Sequence, residues 1–518
     1  MSGCAGRPPA VAGGRAAQAA GDVFQHGVAS GDPLSDRVIL WTRITTADAK
    51  PVAVRWQIAA DPDFRRVVNE GATTALPARD HTVKVDALGL EPARTYYYRF
   101  ISGTAESPIG RTRTLPERTV NRLRIAVASC ANLPFGYFTA YHHIAARHDL
   151  DLVLHLGDYL YEYAPRTYGD GSDIGRVHQP PHEIVTLADY RTRHAQYKRD
   201  ADLQEAHRQH PWICVWDDHE TANNSYRDGA QNHNPELGEG EWAVRRRAAI
   251  QAYHEWLPIR EQPGATGPHI YRSFRLGDLA YLIMLDTRLH GRSRQVEDRK
   301  DAAAIADPRR TLLGADQQAW LMEQLRASMR QESAWRLIGQ QLMFGQLIAE
   351  DGVLLNPDQW DGYPVSRNIV LDQLEAERIE DTVILTGDIH TAWGIDITRD
   401  PARGYDPASG RGSLAVEFVT TSVTSPGPDG TAQELQDREA FVLRERPHIH
   451  YVNLREHGYL LLDVDRERVQ GEWWYVDSLL QPGASERLGG AMASARGSNH
   501  LVEVDGASGP NSDRPELV

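Results

Sequence analysis

Near Pro116 the chain changes its period, and that change constrains the fold more than any other feature. Before it, from Phe24 to about Thr114, the runs VILWTRI, VAVRWQIA, HTVKVDAL and TYYYRFI alternate or are β-branched and aromatic, with Gly, Pro and Asp between them. Such runs are short strands joined by turns. After it, LRIAVAS, DLVLHLG, ICVW, AYLIMLD, WRLIGQQ, DTVILTG, AVEFVTTS and YLLLDVD are interspersed with helical segments near Tyr137–Ala146, Leu187–His207, Trp242–Leu257 (stopped by Pro258) and Ala315–Met329. The first part predicts a small all-β sandwich of fibronectin or immunoglobulin type. The second predicts an α/β layered domain with buried sheets. The expected organisation is a disordered leader over 1–21, the β-sandwich over 22–116, the α/β domain over 117–484, and a Gly/Ser/Ala-rich tail over 485–518 that caps a cleft and carries NHLVEVD as a last short element.

Charge and cysteine usage exclude several classes. A net charge of -15 argues against a nucleic-acid-binding surface, which needs clustered positive charge. Cys4, Cys130 and Cys214 allow one disulfide at most, so this is not a disulfide-built fold. No apolar run is long enough to form a transmembrane segment. The start, MSGCAGRPPAVAGG, has neither a twin arginine nor an apolar stretch. Two readings of it stand: Ser-Gly-Cys-Ala around Cys4 is the remnant of a lipoprotein signal with Cys4 as a lipid anchor, or the segment is a disordered leader with an incidental cysteine.

Four strand-like runs end in metal-ligand residue types. IAVAS ends at Cys130 and Asn132; LVLHLG at Asp158, with Tyr161 following; ICVW at Asp217, Asp218, His219 and Glu220; VILTG at Asp388 and His390. Ligands of open α/β sheets collect at the carboxyl ends of strands, so four such clusters in order imply one shared site. Thiolate, phenolate and imidazole together suit trivalent iron better than magnesium or calcium. The aspartate-rich remainder, with Asn224 close by, suits calcium. Two neighbouring cations can orient a phosphate, acidify a bound water and stabilise a leaving oxygen, so the nucleophile would be a metal-bound hydroxide.

The series SCAN (129–132), GDYLYEY (157–163), WDDHE (216–220) and GDIHTAW (387–393) resembles the PhoD-like (alkaline phosphatase D) branch of the calcineurin-like metallophosphoesterases. HGVASGDPLSDRVILWTRI, LDTR, WDGYP and EFVTTSVTSP look like the same family, so the resemblance runs over nearly the whole chain from about residue 24. It implies an αββα two-sheet metallophosphoesterase sandwich behind the small all-β domain. It implies Fe3+ held by Cys130, Asp158, Tyr161 and His390 with Asp158 bridging, and one or two Ca2+ held by Asp218, Asp388 and Asn224, with Asp217 a further candidate. His219 takes the place of the histidine that contacts phosphate and protonates the leaving group. Arg288 and Arg227 are expected as phosphate contacts, and Trp360 and Tyr363 as residues near the cleft mouth.

The implied function is hydrolysis of phosphate monoesters and diesters outside the cytoplasm, in the periplasm or secreted, on a small-molecule phosphate ester. A phospholipase D-like phosphodiesterase acting on lipid head groups is the alternative, which the motifs do not separate and which aromatic residues near the cleft, such as Trp360, would favour. Two other classes compete: a non-catalytic calcium-dependent binding protein, against which the intact ligand set speaks, and a redox iron protein, against which the carboxylate-rich neighbour speaks. Each residue alone also has a plainer reading. Cys130 alone would be a buried thiol, Tyr161 alone a core aromatic, His219 a residue that orients a ligand, and Arg288 a partner of Asp286 or another carboxylate. Cys214 reads as inert core. His142, His143, His448 and His450 have ligand-like spacing without paired clusters, and read as surface or packing residues.

Overall fold

The computed structural model describes residues 23–262, 269–348 and 353–518. The leader and Cys4 lie outside the described residues. Two large sheets dominate. Across the ten-stranded sheet the order is Leu501–Glu503, Glu486–Ala495, Arg468–Val476, Gly458–Asp465, Arg122–Ala128, Leu152–His155, Pro211–Cys214, Val28–Gly31, Arg37–Arg43 and Thr82–Leu88. The seven-stranded sheet runs Arg272–Leu276, Ala280–Met284, Trp335–Gly339, Thr382–Thr386, Ser413–Val419, Ala392–Thr398 and Ile449–Asn453.

The central strands are buried because their inward residues meet across the two sheets. Ile125, Val127 and Leu154 share one core with Leu282, Leu337, Val416 and Phe418. Trp473 spans the interface, its indole N–H donating to the Val419 carbonyl at 2.9 Å. Each side chain fully buried in this layer is worth about 1.5–3 kcal/mol. The helices Thr139–Ala146, Ala201–Gln209 and Trp242–Trp256 contribute Tyr141, Leu203 and Ala249 to the same core. The helices Gly314–Arg330 and Pro364–Ala376 bury Leu321, Leu325, Val370 and Leu371 in a second core with Ile338 and Ile384 of the seven-stranded sheet. This is the αββα sandwich.

The all-β unit is present, and one of its layers is the end of the large sheet. Val28–Gly31 pairs in parallel with Pro211–Cys214, Ser30 opposite Pro211 and Gly31 opposite Trp212. Gly31 is required there: a Cβ would lie 2.4 Å from the Pro258 carbonyl oxygen and 2.6 Å from that of Trp212. The five-stranded sheet, including Val52–Ala59 and Thr95–Ser102, covers these strands through Val54, Ile58, Tyr98 and Phe100 against Val28, Val38, Leu40 and Val83. Pro116 therefore marks a change of period with no break in hydrogen bonding across the sheet.

Two local expectations are revised. The helix expected across Leu187–His207 is two helices, Leu187–Tyr197 and Ala201–Gln209, because the Asp200 carboxylate accepts from the Leu203 N–H and caps a second start. Such a cap is worth about 1 kcal/mol. Residues 486–503 add two strands to the sheet edge, and the chain ends with the Val518 carbonyl accepting from Gln209 at 2.6 Å. That position is beside the amino end of Pro211–Cys214, the opposite end from the ligand clusters.

Lys198 is buried between the two helices and the sheet, over the rings of Trp41 (4.9 Å) and Tyr159 (5.4 Å). Its Nζ has no hydrogen-bond partner among the described residues. Burial pulls its pKa from 10.5 down to about 7. Between those values the unfolded chain binds more protons, so this group adds stability as pH rises through the window and is a burden below it. Lys198→Met should therefore raise the melting temperature more at pH 6 than at pH 9, the gains differing by about 2–3 kcal/mol, since each pH unit in the window is worth about 1.4 kcal/mol. Equal gains at both pH values would show that the ammonium is not what is being buried.

Candidate metal centre

The parallel strands Arg122–Ala128, Leu152–His155 and Pro211–Cys214 all point their carboxyl ends to one edge, and Thr382–Thr386 of the facing sheet delivers its own turn there. The backbone then turns sharply. Cys130, Asp158, Asp388 and His390 all adopt left-handed φ values, 60°, 56°, 64° and 57°, and so does Asn224 at 51°. A non-glycine residue held there stores about 1–3 kcal/mol of strain, and such residues gather at functional sites. The turns are lashed together: the Cys130 N–H donates to the Gly157 carbonyl at 3.1 Å and the Ala131 N–H to the Asp158 carbonyl at 2.9 Å. Gly157, at φ 108°, admits no side chain, because a Cβ would lie 2.5 Å from the Asp217 backbone nitrogen.

The side chains converge in overlapping groups. Ligand atoms of Cys130, Asp158 and His390 lie within 4.8 Å of one another, as do those of Asp158, Asp218 and His219, and those of Asp217, Asp218 and Asp388. Asp158 and Asp218 each belong to two groups, so they link the pockets. Tyr161 joins the first: its hydroxyl donates to Asp158 at 2.9 Å, sits 3.2 Å from His390 Nε2 and accepts from Ser425 at 2.6 Å. His390 Nδ1 donates to the Pro426 carbonyl at 2.8 Å, which leaves Nε2 free to ligate.

The donor set fits cations on chemical grounds. Asp217 Oδ2 and Asp218 Oδ1 are buried with no hydrogen-bond partner among the described residues, which costs about 1–3 kcal/mol per group, more for a charged one. Burial, opposed by His219, drives the Asp158 carboxyl well above its usual range. Burial, opposed by Arg288, drives Asp217 well above its range too and Asp388 to about 6. Asp218 stays ionised: burial works against it, but Arg288 and His219 hold it at about 2. Four carboxylates crowd one fully buried guanidinium. Arg288 meets Asp217, Asp358 and Asp388 at 2.5, 2.7 and 2.5 Å and lies 3.7 Å from Asp218. The negative charge left over is what bound cations would neutralise.

The predicted residues separate by position. Asn224 lies at the cleft, its N–H donating to Asp218. His219 lines the same cleft, of about 300 Å³, and its Nδ1 is 2.7 Å from Glu162. Burial acts against a charge on the ring, but Asp218, Glu162 and Asp158 raise its pKa well above the ordinary histidine value. Arg288 stands behind the aspartates, fully buried, rather than in the cleft. Arg227 is exposed, paired with Asp228 at 2.6 Å, and absent from the cleft lining. Trp360 and Tyr363 are not at the mouth. Both are buried in the second core, Trp360 against Phe344 with its N–H on Gln340, because their short helical turn packs under the sheet. The aromatic wall of the cleft is Tyr163 and Tyr168 instead.

Residues not anticipated complete the site. Glu162 holds His219 and also accepts from the Asn223 N–H and the Asn232 side chain; its signal lay in the GDYLYEY run. Asp358 clamps Arg288 and Arg292, and Gln359 donates to Asp388 at 2.6 Å. Both precede Trp360 in a polar stretch with no periodic or motif signal of its own.

Known proteins resemble this chain closely. The profile of the family described as "PhoD-like phosphatase" matches residues 125–473, and that of the "PhoD-like phosphatase, N-terminal domain" matches residues 9–116. Alkaline phosphatase D of Bacillus subtilis (strain 168) is 38% identical over 479 residues, which span 89% of this chain and 79% of the relative. The solved structure of PhoD superposes with a TM-score of 0.85 at 36% identity, covering 94% of this chain and 93% of that one.

Arg288→Met removes the one cation facing four carboxylates, which for buried pairs costs about 3–5 kcal/mol. The chelated variant should melt well below the chelated wild type, and added calcium should recover part of the loss. An unchanged melt would mean that the carboxylates do not depend on Arg288.

Proposed function

This chain belongs to the PhoD-like phosphatase family, and on that premise we propose that its acidic centre hydrolyses phosphate monoesters and diesters with one iron and one or two calcium ions. The observation that carries the reading is the convergence of a thiol, a phenol, an imidazole and four aspartates in adjoining groups that share Asp158 and Asp218, with Asp158, Asp218, Asp388 and His390 lining the open cleft and Cys130, Tyr161 and Asp217 buried behind it. Cys130, Asp158, Tyr161 and His390 would hold iron; Asp217, Asp218 and Asp388, with Asn224, would hold calcium. When bound, such a pair orients a phosphoryl group and makes water a better nucleophile.

The chain's own residues do the rest. Glu162 fixes the His219 ring through Nδ1, which leaves Nε2 for the ester. The carboxylates of Glu162, Asp218 and Asp158 favour the protonated ring, so His219 can give its proton to the departing oxygen. Arg288 and Gln359 hold Asp217 and Asp388 in place. Tyr163 and Tyr168 flank the cleft with aromatic rings. Trp360, buried in the core, does not contribute to the lipid alternative.

His219→Ala should lower kcat by about 10²–10⁴-fold with little change in KM; a change confined to KM would make it a phosphate-positioning residue instead. Glu162→Gln should lower kcat less, because the ring keeps a partner. Plasma mass spectrometry of the purified protein should find iron and calcium, and Cys130→Ala should lose iron and activity together. Full activity without iron would remove Cys130 and Tyr161 from the ligand set.

A further inference from the structure

Among the described residues, one further grouping of metal-ligand types lies away from the cleft: Asp396, His450 and His500, whose ligand atoms lie within 4.8 Å of one another. Asp396 sits in the middle of the strand Ala392–Thr398 with its side chain fully buried. His450 comes from the neighbouring strand Ile449–Asn453, and His500 from just before Leu501–Glu503, the edge strand of the other sheet. His500 Nδ1 is 2.6 Å and His450 Nε2 3.3 Å from the same oxygen, Asp396 Oδ2. The Tyr405 hydroxyl, from the loop after residue 398, is 2.9 Å from that oxygen and 3.0 Å from His450 Nε2. Asp396 Oδ1 is occupied separately by the Leu501 N–H at 2.9 Å.

We propose that Asp396, His450 and His500 form a second metal site that takes a zinc-type divalent ion, with Tyr405 at the fourth position. Two imidazoles and a carboxylate are donors that such an ion prefers. Tetrahedral ligands at zinc bond lengths stand about 3.3 Å apart, and the four separations here run from 2.6 to 3.3 Å. Small movements of His500 and Tyr405 open that space. The cation replaces the protons that now bridge the same nitrogen and oxygen atoms, so binding releases protons to solvent. Four separate stretches of chain meet at this point, and the ion clasps the loop 399–412 and the carboxyl-terminal strand onto the edge of the seven-stranded sheet. Its role is structural. Asp396 lies six residues past His390, roughly 20 Å along an extended chain. The rings are mostly shielded but not sealed, the His450 and His500 side chains being 16% and 12% exposed, so an ion can enter without unfolding.

The test uses the full chain with its catalytic metals in place, incubated with zinc and desalted. Wild type should retain about one zinc per chain more than His450→Gln or His500→Gln, and cobalt in its place should give visible d–d bands that both variants lack. Phosphatase activity should be the same in all three. Equal zinc content in wild type and in folded variants would overturn the proposal and assign the zinc to the catalytic cleft. A measurement on wild type alone covers the case of a variant that fails to fold. Zinc should slow amide hydrogen exchange over residues 399–412 and 500–503, and protection confined to the turns at 130–132, 158–161 and 388–390 would overturn the proposal as well.

Discussion

The Arg288 guanidinium is the point on which the centre depends. A single delocalised cation, fully buried, faces Asp217, Asp218 and Asp388 at the strand ends of both sheets and Asp358 in the loop before Trp360. Without it those carboxylates would protonate or repel, since like charges at such distances in a poorly solvated interior are costly. With it, Asp218 remains ionised and the others are held close. The arrangement is incomplete, because Arg288, even with Arg292 on Asp358, does not balance four carboxylates. That deficit is what the proposed cations would neutralise at the edge of the sandwich.

The surrounding backbone is built to tolerate that concentration of charge. Left-handed turns at Cys130, Asp158, Asp388 and His390 are unfavourable one by one; backbone hydrogen bonds tie the first two together, and the Gly387 N–H donates to the Gln341 carbonyl beside the other two. The parallel strands behind them supply rigidity through a continuous apolar core. Ligands set on such turns are spaced by the sheet and not by flexible loops, which is the condition for two cations to sit at a constant separation.

The amino-terminal strands belong to the same mechanical unit. Val28–Gly31 completes the parallel run beside Pro211–Cys214, so the strand that delivers Asp217 and Asp218 is interior rather than at an edge. An edge strand would present open hydrogen-bonding groups and more freedom. The small β-sheet then covers the extension through Val54, Ile58 and Phe100, and in doing so shields the far end of the sheet on which the centre rests.

Much of this was legible in the chain itself. The switch from short alternating strands to buried strands interspersed with helices determined the two architectures, because side-chain period is a local property of the backbone. The clusters after IAVAS, LVLHLG, ICVW and VILTG determined which residues would meet, because strand ends in a layered α/β domain share an edge. What the sequence could not show depends on contacts between distant segments. The buried place of Arg288, the burial of Trp360, the hold of Glu162 on His219 and the meeting of Asp396 with His450 and His500 each join residues tens to hundreds of positions apart. His450 looked like an unpaired surface histidine for that reason. Local pattern sets where a residue sits on its own strand or turn; only the packing of one sheet on the other decides which charge it faces, and therefore whether it is a ligand, an anchor or part of the core.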